Sequence, residues 1–243
     1  VQHLRRRLGE CLGDLDVFAA LYRAGDKLRL LHFWRLVGGE QPRQGHLKAA
    51  QAYEAQVSML RANTLDFAKA RTACDVGCWL LYECAEFTVA TRVLHHVANV
   101  TVDALGPECS VIADCLVSLS AIPIRYKHFG SDPVHKVRAD AAQHLHRALE
   151  ILSLHSDEHQ ALRAEALRAY AYLSLMPRTT SEHDGDIEGK LRQALEIDTR
   201  THDLAAQATD WNALGTLKEK QGESDAALAC YNRSLVLRET ILS

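Results

Sequence analysis

The residues best suited to chemistry form one short stretch with the composition of a zinc site: Cys74, Cys78, Cys84, His95 and His96. Cys74 and Cys78 are four residues apart, so on a helix both thiols lie on one side and could chelate the metal. The neighbouring residues are apolar with helical spacing, and the chain has seven cysteines but no Cys-x-x-Cys pair. That pattern is typical of reduced core cysteines in a cytosolic protein, so we predict no metal site here.

The other candidate sites are weaker. His144 and His146 flank Leu145 and therefore point to different faces of a helix. The acidic segment 183–186 has too few oxygen ligands at alternating positions for calcium. A cysteine–histidine nucleophile needs a base and an oxyanion hole, and no motif marks either. We therefore predict no catalytic residue, no cofactor and no enzymatic activity.

The composition excludes several classes of protein. The 243 residues are 47% hydrophobic and 24% charged, which is ordinary for a protein with a sizeable core. The net charge of −3 provides no basic surface for nucleic acid. No apolar run is long enough for a membrane span, and the first residues lack a signal-peptide core. We predict a cytoplasmic protein, and a chain that begins at Val1 is expected to be part of a larger one.

The elements that carry these residues are predicted to be helices, because apolar residues recur every three or four positions and strand patterns are scarce. The clearest pattern is in residues 210–243, where large and small residues alternate as in a tetratricopeptide (TPR) helix pair. They are Trp211, Leu214 and Gly215 in a first helix, Gly222 in the turn, and Ala227, Tyr231 and Ser234 in a second helix. This segment resembles a TPR repeat, and the resemblance implies a protein-binding fold.

Three earlier segments repeat the pattern less regularly. The first helices start at Ala70, Ala113, Ala164 and Ala208, and the second-helix sets fall within 90–97, 141–148, 187–194 and 227–234. The period exceeds the roughly 34 residues of a plain TPR, and the connector 105–113 is similar to those of kinesin-light-chain and nephrocystin repeats. The resemblance implies an all-α, right-handed α-solenoid with repeats at about 69–106, 107–155, 156–201 and 202–243.

Residues 1–68 do not fit the repeat and are predicted to form a helical linker region. Helical patterns at 8–36 and from Leu47 to about Arg61 flank a glycine-containing turn at 38–45. This order resembles the linker that joins a NACHT-type NTPase module to its TPR tail in signal-transduction ATPases. The chain has no phosphate-binding glycine-rich motif, so the resemblance implies an NTPase module upstream in the same polypeptide.

In TPR proteins the first helix of each pair lines a groove that holds an extended peptide or a partner helix. The residues that the resemblance places in this groove are Asn212, Arg168, Thr216, Tyr172, Lys220 and Val117. The amide of Asn212 has donors and an acceptor, so it could clamp a peptide backbone. Alternatively, Asn212 and Arg168 are ordinary solvated helix residues.

The preferred function is a protein–protein interaction module, a TPR scaffold or signalling sensor tail that binds a peptide or protein partner. Two alternatives remain open. The first is a structural solenoid that mediates intramolecular domain packing or self-association. The second is a metal-binding helical protein.

Overall fold

The computed structural model describes residues 2–39, 41–125, 134–155, 158–176 and 186–242, and every regular element in these ranges is a helix. The predicted all-α fold class is confirmed. The chain divides into two compact units, residues 1–119 and 120–243. None of the helices in the described ranges combines the length and the apolar character that crossing a membrane requires.

Unit 1 contains a helical start and the first helix pair. Its elements are α1 (Gln2–Leu12), α2 (Leu15–Arg23), α3 (Lys27–Gly38), α4 (Pro42–Ser58), a 3-10 turn (Ala62–Thr64), α5 (Phe67–Tyr82), α6 (Phe87–Leu105) and the first part of α7 (Ser110–Arg125). The expected turn at 38–45 is shorter than predicted, because α4 already begins at Pro42. Proline is favoured at the first turn of a helix, where its missing N–H would have no partner.

An aromatic cluster fills the centre of unit 1. Phe18, Trp34, Tyr53 and Trp79 come from four different helices, and none is more than 1% exposed. Tyr53 stands edge-on to each of the other three rings, at centroid distances of 5.2 to 5.8 Å. Its hydroxyl accepts a hydrogen bond from Trp34 Nε1 at 3.2 Å and donates one to the carbonyl of Leu12 at 2.6 Å. The packed rings therefore link helices α2, α3, α4 and α5, and the hydrogen bond to Leu12 attaches α1 to them.

Unit 2 continues from the end of α7 and contains α8 (Val134–Leu154), α9 (Gln160–Leu175), α10 (Ile187–Arg200), α11 (Leu204–Lys220) and α12 (Ser224–Leu242). Its apolar core lies between α9, α10 and α11 and includes Ala171, Leu191 and Leu214. Side-chain caps start two of these helices: Asp186 accepts from the N–H of Gly189, and Asp203 from that of Ala206. Of the acidic segment 183–186, only Asp186 lies in the described part of the chain.

The segments aligned by the repeat pattern all fall inside single helices. The first-helix segments lie in α5, α7, α9 and α11, and the second-helix sets in α6, α8, α10 and α12. A Cβ on Gly77 would lie 2.5 Å from Leu94, and one on Gly215 would lie 2.5 Å from Tyr231. The first and last pairs thus share the same small–large contact, which fixes the helix register. The repeat boundaries, and the division at residue 68, stay predictions.

Candidate functional site

The predicted partner-binding residues of unit 2 lie on the first helices α9 and α11. We call this surface the α9–α11 face and define it by Arg168, Tyr172, Asn212, Thr216 and Lys220. On α11 the spacing of three or four residues between Thr209, Asn212, Thr216 and Lys220 places them on one side of the helix. Tyr172 and Lys220 bridge the two helices, as described below, so that side of α11 turns toward α9.

Arg168 is not a solvated groove residue. Its Nε donates to Asp210 Oδ1 of α11 at 2.5 Å, and its Nη2 donates to Asp198 Oδ2 of α10. The side chain of Arg168 is 14% exposed, and those of Asp198 and Asp210 are 3% and 0% exposed. We call these three residues the carboxylate cluster. They tie three consecutive helices together, so Arg168 has a structural role that the sequence pattern did not predict.

The charges of this cluster do not balance if both carboxyl groups are ionised. Burial raises the pKa of Asp210, Arg168 lowers it and the nearby Asp198 raises it, and together these effects place it at about 7. Asp210 Oδ2 is buried and has no hydrogen-bond partner among the described residues, and the Asp210 carboxyl group lies within hydrogen-bonding reach of Asp198. A proton on the Asp210 carboxyl group would be donated to the Asp198 carboxylate. The neutral set of one guanidinium, one carboxylate and one carboxylic acid is therefore favoured at mildly acidic pH.

This protonation predicts a pH-dependent stability. The folded-state pKa of Asp210, about 7, lies above its ordinary value of 3.8. The folded chain therefore holds a proton that the unfolded chain has lost, and the resulting stability disappears as the pH rises through about 7. We expect the unfolding free energy of the wild type relative to Asp210→Asn to fall between pH 4 and pH 8, measured by urea titration. The exposed Asp225→Asn serves as control, and a difference that stays constant with pH would contradict the protonated Asp210.

Two further residues of the α9–α11 face make contacts within the chain. The hydroxyl of Tyr172 donates to the carbonyl of Thr209 at 3.5 Å. The ammonium group of Lys220 donates to the carbonyl of Leu175, at the carboxyl end of α9. A cation at this position satisfies one of the last helix carbonyls and interacts favourably with the helix dipole. Both residues hold α11 against α9.

Asn212 retains unused hydrogen-bonding capacity, whereas the Thr216 hydroxyl is engaged within the chain. Both residues are half-buried, and the Thr216 hydroxyl donates to the backbone carbonyl of Asn212 and accepts from the Tyr231 hydroxyl at 3.5 Å. The side-chain amide of Asn212 makes no hydrogen bond to any of the described residues. A half-buried amide with two donors and an acceptor is suited to contacting another polypeptide backbone. The sixth predicted residue, Val117, is on α7, is only 2% exposed and does not offer surface to a partner.

Three of the cysteines of unit 1 lie beside a carboxylate and form a second candidate site. Cys74 and Cys78 of α5 lie beside Asp114 and Cys115 of α7, and Cys78 Sγ is 3.2 Å from Ser118 Oγ. The sequence pattern identified the two α5 cysteines but did not indicate that α7 places a carboxylate and a third thiol beside them. The other residues of the zinc-like stretch, Cys84, His95 and His96, are not in this group.

Comparisons with known proteins identify similar solved structures. No family model matches the chain, and no curated protein matches it. Among solved structures, the chain is similar to the crystal structure of BtubC (BKLC) from P. vanneervenii, with a TM-score of 0.63 and 20% sequence identity. The similarity covers 100% of this chain and 88% of that chain. Nothing in these comparisons supports the predicted link to a NACHT-type ATPase. They show that the chain has a TPR-like, all-α helical-repeat fold.

Proposed function

We propose that this protein is a cytoplasmic interaction module that binds an extended peptide segment of a protein partner along the α9–α11 face. The helical-repeat fold supports a scaffold of this kind. The observation that carries the proposal is the half-buried side-chain amide of Asn212, which makes no hydrogen bond to the described residues. Placement in the tail of a signalling ATPase rests on the resemblance of residues 1–68 alone.

The peptide would be recognised mainly through hydrogen bonds to its backbone and less through ion pairs. Arg168 and Lys220 are the cations of the α9–α11 face, and both are engaged within the chain. A site for a terminal carboxylate or phosphate would need guanidinium or ammonium groups that are available to the ligand. The amide of Asn212 instead matches the alternating N–H and C=O groups of an extended backbone. We therefore propose an internal peptide segment as the ligand.

A displayed library of random peptides tests this proposal. Peptides selected on the wild type should lose about tenfold or more in affinity on Asn212→Ala, in line with the loss of hydrogen bonds of about 1.4 kcal/mol or more. Asn232→Ala is a matched control, because Asn232 is exposed on the other helix of the same pair. Failure to select any peptide, or equal binding by both variants, would contradict the assignment.

Self-association is the second candidate function. Leu228, Leu235 and Leu242 of α12 are seven residues apart and lie on one side of the helix, with exposures of 59%, 54% and 87%. Such a stripe is suited to packing against another helix. Light scattering of the preparations used for peptide selection distinguishes the two functions. An oligomer that Leu235→Glu converts to a monomer would favour self-association.

A further inference from the structure

Two cysteines of unit 1 lie beside a carboxylate in an arrangement close to that of a metal centre. The Sγ atoms of Cys74 and Cys78 and a carboxylate oxygen of Asp114 all lie within 4.8 Å of one another. In a tetrahedral site with Zn–S bonds of about 2.3 Å, neighbouring ligand atoms are roughly 3.8 Å apart. Small side-chain rotations would therefore bring these three atoms to bonding distance of one ion. Cys115, which follows Asp114 in α7, lies within hydrogen-bonding reach of Cys74.

We propose that Cys74, Cys78 and Asp114 bind one zinc ion as its three protein ligands, with Cys115 hydrogen-bonded to Cys74 from outside the ligand shell. Zinc accepts thiolate and carboxylate oxygen in the same tetrahedral shell, whereas calcium and magnesium require oxygen ligands. The ion would link α5 to α7, the first helices of two successive predicted repeats. The site is separate from the α9–α11 face and does not depend on the proposed function.

The surrounding charges suit a divalent ion. Arg71 Nη1 contacts Asp114 Oδ2 at 2.7 Å, and its Nε contacts Asp75 Oδ1 at 3.2 Å. Zinc with two thiolates and the Asp114 carboxylate has a net charge of −1, and the Arg71 guanidinium, which also pairs with Asp75, lies against this negative charge. Asp114 has a second oxygen for the metal, so Arg71 can remain in place and orient the ligand. Such outer partners typically hold a metal ligand in its binding orientation.

An ion can reach the site from solvent, and it must displace the protons of the two cysteine thiols to bind. Cys78 and Asp114 are half-buried, whereas Cys74 and Cys115 are fully buried, so an ion would enter past the first two. Zinc binds the thiolate form of cysteine, whereas an ordinary cysteine thiol is mostly protonated at neutral pH. Zinc binding should therefore release about two protons per ion.

The test uses the full chain, purified in reductant, stripped of metal with a chelator and titrated with Zn²⁺ alone. Native mass spectrometry should show one zinc per chain in the wild type. Cys78→Ser and Asp114→Asn should each weaken binding by about tenfold or more, because each removes a ligand. Cys109→Ser is the matched control, since Cys109 is also half-buried in unit 1 but lies outside the cluster. It should bind zinc as the wild type does.

Two further measurements on the wild type keep the result independent of how well the variants fold. Calorimetry in buffers of different ionisation enthalpy should show the release of about two protons per zinc. Zinc should also raise the melting temperature, because a ligand that binds only the folded state stabilises it. Absence of zinc at one per chain, or equal binding by Cys78→Ser and Cys109→Ser, would overturn the proposal. Release of fewer than one proton per ion would likewise indicate adventitious binding elsewhere.

Discussion

Replacing Arg168 with alanine is expected to reduce the free energy of unfolding by about 3–5 kcal/mol, one of the two largest effects that we predict. The guanidinium contacts Asp198 and Asp210, whose side chains are 3% and 0% exposed. Without it, two acidic groups remain buried with no cation beside them. The energy lost is mainly the cost of leaving these groups without a partner, and this cost greatly exceeds that of breaking a surface ion pair. Urea unfolding followed by circular dichroism measures the change.

Arg192→Ala is the control for this prediction. Arg192 pairs with Glu188 one helical turn away, but its side chain is 63% exposed, so its loss should change stability by no more than about 1 kcal/mol. The double variant Arg168→Ala with Asp210→Asn should recover part of the loss, since it removes one of the stranded carboxyl groups. Similar stabilities for Arg168→Ala and Arg192→Ala would show that the carboxylate cluster does not hold α9, α10 and α11 together.

The expected structural role of Arg168 limits how partner binding can be tested. A charge reversal at Arg168 would bring a third acidic group to Asp198 and Asp210. Loss of binding after that change would report disruption of unit 2 as readily as loss of a peptide contact. Asn212 is the better probe, because its amide makes no hydrogen bond to the described residues. The binding and stability roles of the α9–α11 face can therefore be separated residue by residue.

The sequence predicted the helical register well because large and small residues repeat with the helix period. Gly215 against Tyr231 and Gly77 against Leu94 show that the same register holds in the last and first pairs. The pattern could not predict what joins one first helix to the next, because those contacts link residues about 40 positions apart. Each such residue is compatible with a solvated helix face when the sequence alone is considered.

The two contact types between first helices show this limit clearly. Cys74 and Arg168 each lie four places after the alanine that starts their aligned segment, and Cys115 and Asp210 each lie two places after theirs. In unit 1 the two equivalent positions hold neighbouring thiols, and in unit 2 they hold an ion pair. The fold thus uses one pair of positions for two kinds of polar contact. Only the three-dimensional pairing of first helices reveals that both residues face a partner.

Replacing Tyr53 with alanine is the second large effect that we expect, again about 3–5 kcal/mol, because it opens a cavity among buried aromatic rings. Sequence reasoning does not single out Tyr53, since it lies in a stretch of α4 rich in alanine and glutamine. In the structure it is fully buried, and its hydroxyl joins Trp34 Nε1 to the carbonyl of Leu12. Its edge-on contacts with Phe18, Trp34 and Trp79 add to the packing.

Tyr53→Phe separates the two contributions. It keeps the ring but leaves the indole N–H of Trp34 and the carbonyl of Leu12 without this partner, which should cost about 1–3 kcal/mol. In urea unfolding, the wild type should therefore be the most stable, Tyr53→Phe less stable and Tyr53→Ala the least stable. If Tyr53→Phe had the same free energy of unfolding as the wild type, the two hydrogen bonds would make no net contribution to stability. Packing alone would then hold α1 to the cluster. If Tyr53→Ala also cost less than about 1 kcal/mol, the aromatic cluster could not be the centre of unit 1, because a cavity of that size in a packed core is always costly.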